Sequence, residues 1–186
     1  MINNVIKSKI EEISLIISDV DGILTDGSIF IGADGTEFKQ FSVEDGAGVA
    51  FARYSGLNIG FISGRFSNAT KVRMDELKIK HCFQGKLNKL ESYNELCNIY
   101  NVTNKQVAYI GDGIIDLPVI ECSAVSFAPP NSHHLVIETV DIITKKNGGR
   151  GVFREVVETI LQVKGIYNDV LKKMREEVYK GWYTYI

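Results

Sequence analysis

A short apolar segment that ends in two acidic residues constrains the fold of this chain more than any other feature of its sequence. Residues 15–17 are Leu-Ile-Ile, an uninterrupted apolar run typical of a buried strand in a parallel sheet, and Ser-Asp-Val-Asp-Gly follows at 18–22. Side chains at alternate positions of a strand share one face, so Asp19 and Asp21 can converge on one cation or one substrate group. Ligands of open parallel sheets bind outside the carboxyl ends of the strands. The segment therefore predicts an α/β fold with a functional site at these two aspartates.

An isolated Asp-x-Asp-Gly is more often a polar turn than a functional site, so its interpretation depends on the rest of the chain. A second buried strand is predicted at 58–62, and it ends in Ser63-Gly64-Arg65. A hydroxyl group at a strand end, followed by a glycine that lets backbone N–H groups approach an anion, suits a phosphate-binding turn. Alone, this tripeptide would also be a common turn. Its position at a second strand end favours the functional interpretation.

Lysines and further carboxylates occur downstream at similar positions. Lys86 and Lys89 lie at the predicted start of a helix, where a positive charge opposes the helix macrodipole, so local stability is a poor reason for a lysine there. A strand predicted at 106–110 is followed by Asp112, which is placed to ligate a metal ion. Asp116 lies four residues further on, one helical turn away if a helix has begun.

In this order, the segments resemble the four motifs of the haloacid dehalogenase superfamily of phosphotransferases. The resemblance implies that Asp19 is a nucleophile that forms an aspartyl-phosphate and that Asp21 is the general acid and base. It also implies that Ser63 donates to a phosphoryl oxygen. Lys89 is favoured over Lys86 as the lysine of the third motif, because it matches the pattern Gln-Gly-x-x-Asn-Lys.

The same resemblance implies Mg²⁺ as the cofactor. The expected ligands are Asp19, the backbone carbonyl of Asp21, and Asp112, with Asp116 as a further candidate. Carboxylate and carbonyl oxygens suit this cation, and the sequence offers no His and Cys cluster with the spacing of a zinc site. The fourth motif departs from the usual pattern at Gly113, where a second aspartate is common. The absence of that aspartate is expected to weaken a contact that supports the metal ligands.

A projecting hairpin is predicted between the first motif and the next helix. Two β-prone runs within 28–41 flank Asp34-Gly35, a strong hairpin signal, and nothing else before the helix is long enough for a cap domain. The chain therefore resembles the capless subclass of the superfamily, whose members are similar homotetramers with packed hairpins. The expected fold is a Rossmann-like parallel sheet flanked by helices, haloacid dehalogenase-like, with this hairpin and no cap. A homotetramer is implied as well.

The subclass resemblance also suggests a substrate, a phosphorylated sugar acid. Arg65 favours 3-deoxy-D-manno-octulosonate 8-phosphate, since relatives acting on nine-carbon acids, 2-keto-3-deoxynononate or N-acetylneuraminate 9-phosphate, can carry glutamate there. We expect Ser63, Gly64 and Lys89 to contact the phosphate. Either Arg65 or Arg150 is expected to bind the carboxylate of the sugar acid; Arg150 lies in the glycine-rich run Gly-Gly-Arg-Gly at 148–151. A nine-carbon substrate stays open. So does a non-catalytic regulatory or assembly domain, although the intact set of site residues argues against it.

Length and composition bound the remaining possibilities. A chain of 186 residues suits one domain with a substantial core, expected at 1–164, followed by a C-terminal helical extension and tail at 165–186. Hydrophobic residues make up 45% and charged residues 24%, as in soluble globular proteins. The net charge of −2, without a basic stripe, gives no case for nucleic acid, and no apolar run approaches the ~20 residues that span a membrane. Three cysteines without paired spacing, and no secretory signal in 1–12, indicate a cytoplasmic protein.

Overall fold

The computed structural model describes residues 2–180 and is built around a six-stranded parallel sheet. The sheet has the order β5-β4-β1-β6-β7-β8, and β2 and β3 form a separate antiparallel hairpin. The strands are β1 (Leu15–Ser18), β2 (Phe30–Ile31), β3 (Glu37–Phe38), β4 (Asn58–Ile62), β5 (Cys82–Phe83), β6 (Val107–Ile110), β7 (Val125–Ala128) and β8 (Ile142–Ile143).

Helices cover both faces of the sheet. Ile16 of β1 belongs to a core cluster with Phe153, whereas its neighbour Ile17 belongs to a second cluster with Tyr93. Both faces of β1 are therefore buried, which explains its uninterrupted apolar run and confirms the predicted fold. The helices are α1 (Asn4–Glu11), α2 (Val43–Ser55), α3 (Asn68–Glu76), α4 (Lys89–Tyr100), α5 (Leu117–Cys122), α6 (His134–Thr139), α7 (Val152–Val163) and α8 (Tyr167–Tyr179).

Two helix starts differ from the sequence expectation. The apolar residues within 46–55 predict a helix over that range, but α2 begins at Val43, because Ser42 caps it by accepting a hydrogen bond from the Glu44 N–H at 3.2 Å. The sequence also predicts a helix from 84 to about 99, but α4 begins only at Lys89. The residues before it form a loop in which Gly85 has a φ of 71°, a conformation that interrupts a helix.

The predicted hairpin is present, and its tip projects from the sheet. Phe30 pairs with Phe38 across β2 and β3, and both rings are about 60% exposed. A two-stranded projection predicts that Phe41, at its end, needs a neighbouring subunit as cover, but the structure covers it in part within its own chain. Its ring is partly buried against the main core, and the Arg73 guanidinium lies 5.9 Å from the ring centroid. In the described part of the chain, nothing between β1 and α2 forms a cap domain.

The C-terminal helix α8 packs on its own chain. Val170 is buried, and Leu171 and Met174 are half-buried against the main core. The Tyr54 hydroxyl of α2 lies 3.2 Å from a carboxylate oxygen of Glu177 in α8. The helical spacing of apolar residues in the sequence thus marks a docked face. The side chain of Val178 and the tail from 181 to 186 lie outside the described residues.

Two expectations from composition concern membranes and thiols. Within residues 2–180, none of the helices is both long enough and apolar enough to cross a bilayer. The three cysteines are free thiols; Cys97 is buried, and Cys82 and Cys122 are half-buried.

Asp45, in the first turn of α2, is a buried carboxylate that caps a second helix. Its Oδ1 accepts hydrogen bonds from the N–H groups of Phe153, at 2.9 Å, and Arg154, at 3.4 Å, in the first turn of α7. Its Oδ2 has no hydrogen-bond partner among the described residues. Burial raises the pKa of Asp45 from 3.8 to about 6.

Replacement of Asp45 by asparagine should change how stability depends on pH. Because the folded-state pKa is raised, the stabilising contribution of the protonated carboxyl is complete below about pH 4 and is lost as the pH rises through 6. Asp45→Asn keeps an oxygen acceptor and cannot ionise. Relative to the parent, its free energy of unfolding should therefore rise by on the order of 2 kcal/mol between pH 4 and pH 8.

Urea unfolding at the two pH values measures this difference. Asp34→Asn is the control, because hydrogen bonds from Thr36 lower the pKa of that exposed carboxylate. The control should show no such rise. A difference between Asp45→Asn and the parent that stays constant with pH would contradict the prediction.

Candidate active site

The site lies where three adjacent parallel strands end. β1 lies between β4 and β6, so Asp19, directly after β1, is flanked by the residues that follow those strands. Ser63 directly follows β4, and Asp112 follows β6 after one intervening residue, Gly111. The sheet therefore brings together three predicted site residues that are far apart in the sequence.

Lys89, the first residue of α4, reaches into this cluster. Its Nζ lies 2.7 Å from Asp19 Oδ2 and 2.6 Å from Asp116 Oδ1, and its side chain is fully buried. Burial lowers the pKa of Lys89, but the two carboxylates outweigh it and the net shift is upward, so the ammonium stays charged. Lys86 is exposed. Of the two lysines considered from the sequence, the structure brings only Lys89 to Asp19.

Asp116 lies behind the other carboxylates and is fully buried. It belongs to a 3₁₀ turn, and its Oδ1 accepts hydrogen bonds from Lys89 and from the Tyr109 hydroxyl. Its Oδ2 accepts from the N–H groups of Asp112, at 3.1 Å, and Gly113, at 2.9 Å. Asp116 thus orients both the lysine and the loop that carries Asp112. A Cβ at Gly113 would lie 3.6 Å from Asp116 Oδ2, an ordinary van der Waals distance, so packing does not require glycine there.

The carboxylates form a cluster that suits a hard divalent cation. One oxygen each from Asp19, Asp112 and Asp116 lies within 4.8 Å of the others. Burial and the neighbouring charge of Asp116 raise the pKa of Asp19 well above its usual value and that of Asp112 to about 7. A divalent cation would relieve this repulsion, and all three groups offer oxygen ligands. The donor set therefore fits Mg²⁺.

Gly22, next to Asp21, allows the backbone to approach the Asp112 carboxylate closely. Gly22 has a φ of 91°, and a Cβ there would lie 2.0 Å from Asp112 Oδ2. Only glycine combines this backbone conformation with so close an approach. The backbone that follows Asp21 is therefore held against the Asp112 carboxylate.

Asp21 is held from two sides. The Ser63 Oγ lies 3.3 Å from its Oδ2, and the Lys39 Nζ lies 2.6 Å from its Oδ1. Lys39 directly follows β3 and was not singled out in the sequence. Its alternation with Glu37 on a predicted strand was the available signal, because residues two apart on a strand share one face.

The two arginines predicted to bind substrate lie on different loops, Arg65 between β4 and α3 and Arg150 between β8 and α7. Arg65 is half-exposed and forms an ion pair with Glu37 of the hairpin. Arg150 is exposed and contributes to lowering the pKa of Asp26, although a hydrogen bond from Ser28 is the larger cause. Neither arginine is in contact with the carboxylate cluster, so both could face a part of the substrate beyond its phosphate.

Two glycines have close packing roles around the site. A Cβ at Gly148 would lie 2.0 Å from the carbonyl oxygen of Gly22, so the glycine-rich run supports the loop after Asp21. A Cβ at Gly64 would lie 2.8 Å from Ile115 Cδ1. Larger residues at either position would displace backbone or side chains that border the site.

Comparisons with known proteins agree with this geometry. Residues 62–156 match the model of the haloacid dehalogenase-like hydrolases. The chain is 40% identical over 158 residues to 3-deoxy-D-manno-octulosonate 8-phosphate phosphatase KdsC of Escherichia coli (strain K12), covering 85% of this chain and 84% of that protein.

Two solved structures are similar over most of the chain. A 3-deoxy-D-manno-octulosonate 8-phosphate phosphatase from Yersinia pestis has a TM-score of 0.86 and 36% identity, over 89% of both chains. The enzyme of that name from Moraxella catarrhalis, in complex with a magnesium ion, a phosphate ion and KDO, has a TM-score of 0.88 and 36% identity, over 92% of this chain and 98% of that one. This chain belongs to the haloacid dehalogenase-like hydrolase family.

Proposed function

We propose that the protein is a Mg²⁺-dependent phosphatase that hydrolyses 3-deoxy-D-manno-octulosonate 8-phosphate through an aspartyl-phosphate intermediate. The observation that carries the proposal is the cluster at the strand ends, in which Asp19 lies beside Lys89 and Asp112. The relatives named for this activity, one of them solved with magnesium, phosphate and KDO, support the choice of reaction and substrate.

The residues divide the chemistry between two steps. In the first, a carboxylate oxygen of Asp19 attacks phosphorus, the bond to the sugar oxygen breaks, and Asp21 gives that oxygen a proton. In the second, Asp21 takes a proton from a water molecule that attacks the aspartyl-phosphate, which releases phosphate and restores Asp19. In this scheme Ser63 and Lys89 donate hydrogen bonds to phosphoryl oxygens.

The metal ion has one role in this scheme. When bound by Asp19, Asp112 and the backbone carbonyl of Asp21, Mg²⁺ supplies positive charge to the phosphoryl group. Lys89 adds a second charge, held in place by Asp116. Phosphoryl transfer depends mainly on such positioning and electrostatic stabilisation. We assign Asp116 the role of orienting Lys89, because each of its oxygens already accepts two hydrogen bonds, which leaves no lone pair for a metal ion; a direct metal contact is the alternative role.

A non-catalytic scaffold is the competing function. The free-energy cost of burying charged groups disfavours it, since Lys89, Asp19 and Asp116 are all nearly or fully buried. Burying several charges together often destabilises a protein relative to apolar residues of similar volume. A chain that served only assembly would gain nothing from this arrangement.

Substrate preference provides the test of the proposed function. We expect Mg²⁺-dependent release of phosphate, with the largest kcat/KM for 3-deoxy-D-manno-octulosonate 8-phosphate and smaller values for N-acetylneuraminate 9-phosphate and p-nitrophenyl phosphate. Arg65→Ala or Arg150→Ala should lower kcat/KM for the sugar acid at least about tenfold more than for the aryl phosphate, because guanidinium binds carboxylate through paired, charge-assisted hydrogen bonds.

Arg53→Ala is the matched control. Its guanidinium donates to the Leu77 carbonyl at 2.7 Å, away from the strand ends, so the preference should not change. Equal losses on all three substrates in both arginine variants would show that Arg65 and Arg150 do not bind the carboxylate. Absence of phosphatase activity on all three substrates would favour the scaffold function.

We also propose that the protein assembles into a homotetramer through its hairpins. The support is the exposure of Phe30, Ile31 and Phe38, each about 60% exposed on a two-stranded projection of a kind that is marginal in water. Light scattering at micromolar concentration should give about four times the 20.7 kDa chain mass. Phe38→Ser should lower that mass, and Val5→Ser, which removes an exposed side chain on α1, should not. A monomeric parent protein would contradict the proposal.

We further propose a cytoplasmic location. The three free thiols support it, because unpaired cysteines persist in reducing compartments. Fractionation of cells that produce the protein tests this, and recovery mainly with the cell envelope would contradict it.

A further inference from the structure

We propose that Lys39, at the base of the hairpin, is a positioning residue that holds the Asp21 carboxylate in place for proton transfer. The hairpin would then take part in catalysis within its own subunit, in addition to any role in assembly. The inference rests on the proposed function, because Lys39 acts only through the acid and base role of Asp21.

The lysine is buried and held by three oxygen atoms. Its Nζ lies 2.6 Å from Asp21 Oδ1, 3.3 Å from Thr70 Oγ1 and 3.9 Å from Glu37 Oε1, and its side chain has no exposed area. A buried ammonium group is tolerated only where such partners compensate for lost water. The contact with Asp21 is the shortest of the three, so Asp21 is its main partner.

Asp21 needs such a support because of its location. It lies beyond the end of β1, and its side chain is 26% exposed. Its only other side-chain hydrogen-bond partner among the described residues is the Ser63 Oγ, at 3.3 Å from Oδ2. Lys39 therefore makes the closer of two contacts that set the direction of this carboxylate. A displacement of about 1 Å in a reacting group can cost roughly 10²-fold in rate.

The hairpin strand is tied to the site at a second point. Glu37 lies two residues before Lys39, pairs with Arg65, and accepts a hydrogen bond from the Ser67 hydroxyl at 2.6 Å. This contact anchors the same strand without touching Asp21. Glu37 also lies 3.9 Å from the Lys39 Nζ, so the control is Glu37→Gln, which keeps an oxygen acceptor beside Lys39 and leaves the Lys39–Asp21 contact in place.

The two steps of the reaction depend on Asp21 in different ways. A sugar alkoxide leaves only if it receives a proton, whereas p-nitrophenolate is stable enough to leave without one. In the second step, water must lose a proton to Asp21 whichever substrate was used. Misplacing Asp21 should therefore slow the first step for the sugar phosphate alone, and the second step for both substrates.

Lys39→Met, which keeps most of the length of the side chain and removes its charge, tests the inference. For the preferred sugar-acid phosphate, kcat/KM should fall by about 10²-fold, within the range for loss of general acid catalysis. For p-nitrophenyl phosphate it should fall less than about threefold, and the aspartyl-phosphate should accumulate. Mass spectrometry of acid-quenched protein detects that species on Asp19, so the readout does not depend on turnover alone.

Three further variants complete the test, and thermal unfolding verifies that each is folded. Asp21→Asn should show the same dependence on the leaving group, Lys39→Arg should recover part of the loss, and Glu37→Gln should lack the dependence. If Asp21→Asn shows the pattern and Lys39→Met loses both substrates equally, or neither, this inference is wrong and the proposed function stands. If Asp21→Asn also lacks it, the assignment of Asp21 itself fails.

Discussion

Asp19→Asn should reduce kcat by at least about 10⁴-fold and leave the fold intact, because it removes the nucleophile and one metal ligand together. Asparagine has nearly the shape of aspartate, and the residue follows a strand whose side chains are buried on both faces. Lys89 loses one of its two ion-pair partners and keeps the other, Asp116, at 2.6 Å. The ammonium is therefore not left unpaired, and the loss of stability should be modest.

Turnover of the sugar-acid phosphate and of p-nitrophenyl phosphate, with circular dichroism to verify folding, measures this effect. Asp26→Asn is the matched control: the same chemical change in the loop after Asp21, at an exposed residue whose carboxylate accepts from the Ser28 N–H at 2.9 Å. The control should keep turnover within about twofold of the parent. If Asp19→Asn stayed within tenfold as well, Asp19 would not be the nucleophile.

The parts of this molecule that sequence could predict are those set by local pattern. β4 spans Asn58–Ile62, the same bounds that its apolar pattern indicates. The meeting of Asp19 with Ser63 and Asp112 also follows from local pattern, because parallel strands in one sheet end at one edge.

The parts that sequence could not predict depend on how distant elements dock. Lys39 is an ordinary lysine on a hairpin until that hairpin folds back and places it 2.6 Å from Asp21. Asp116 lies in the same sequence motif as Asp112, the expected metal ligand. Only the structure, in which Lys89 and Tyr109 are buried beside Asp116, shows that its Oδ1 already accepts two hydrogen bonds. The alternation of Glu37 and Lys39 places both on one face of the hairpin, but it does not indicate which residues that face will contact.

Asp112→Ala and Lys89→Ala should both reduce turnover by at least about 10²-fold, and their responses to magnesium should separate the two roles. Asp112 is assigned to the metal, so its loss should weaken Mg²⁺ binding, and activity should recover in part as the metal concentration is raised. Lys89 carries a positive charge 2.7 Å from Asp19, so its removal takes a repulsive charge away from the metal site. Mg²⁺ should then bind Lys89→Ala at least as tightly as the parent, and added metal should not restore its activity.

Calorimetric titration with Mg²⁺ alone measures affinity independently of turnover. Lys89→Ala also leaves Asp116 buried without its cation, which can cost about 3–5 kcal/mol of stability, so each variant is first checked for a cooperative unfolding transition. If Lys89→Ala does not fold, Lys89→Gln, which removes the charge and keeps an N–H donor for the buried Asp116, gives the same comparison. Activity that recovers with metal to the same extent in the Asp112 and Lys89 variants would show that the two residues do not divide the metal and phosphoryl contacts as proposed.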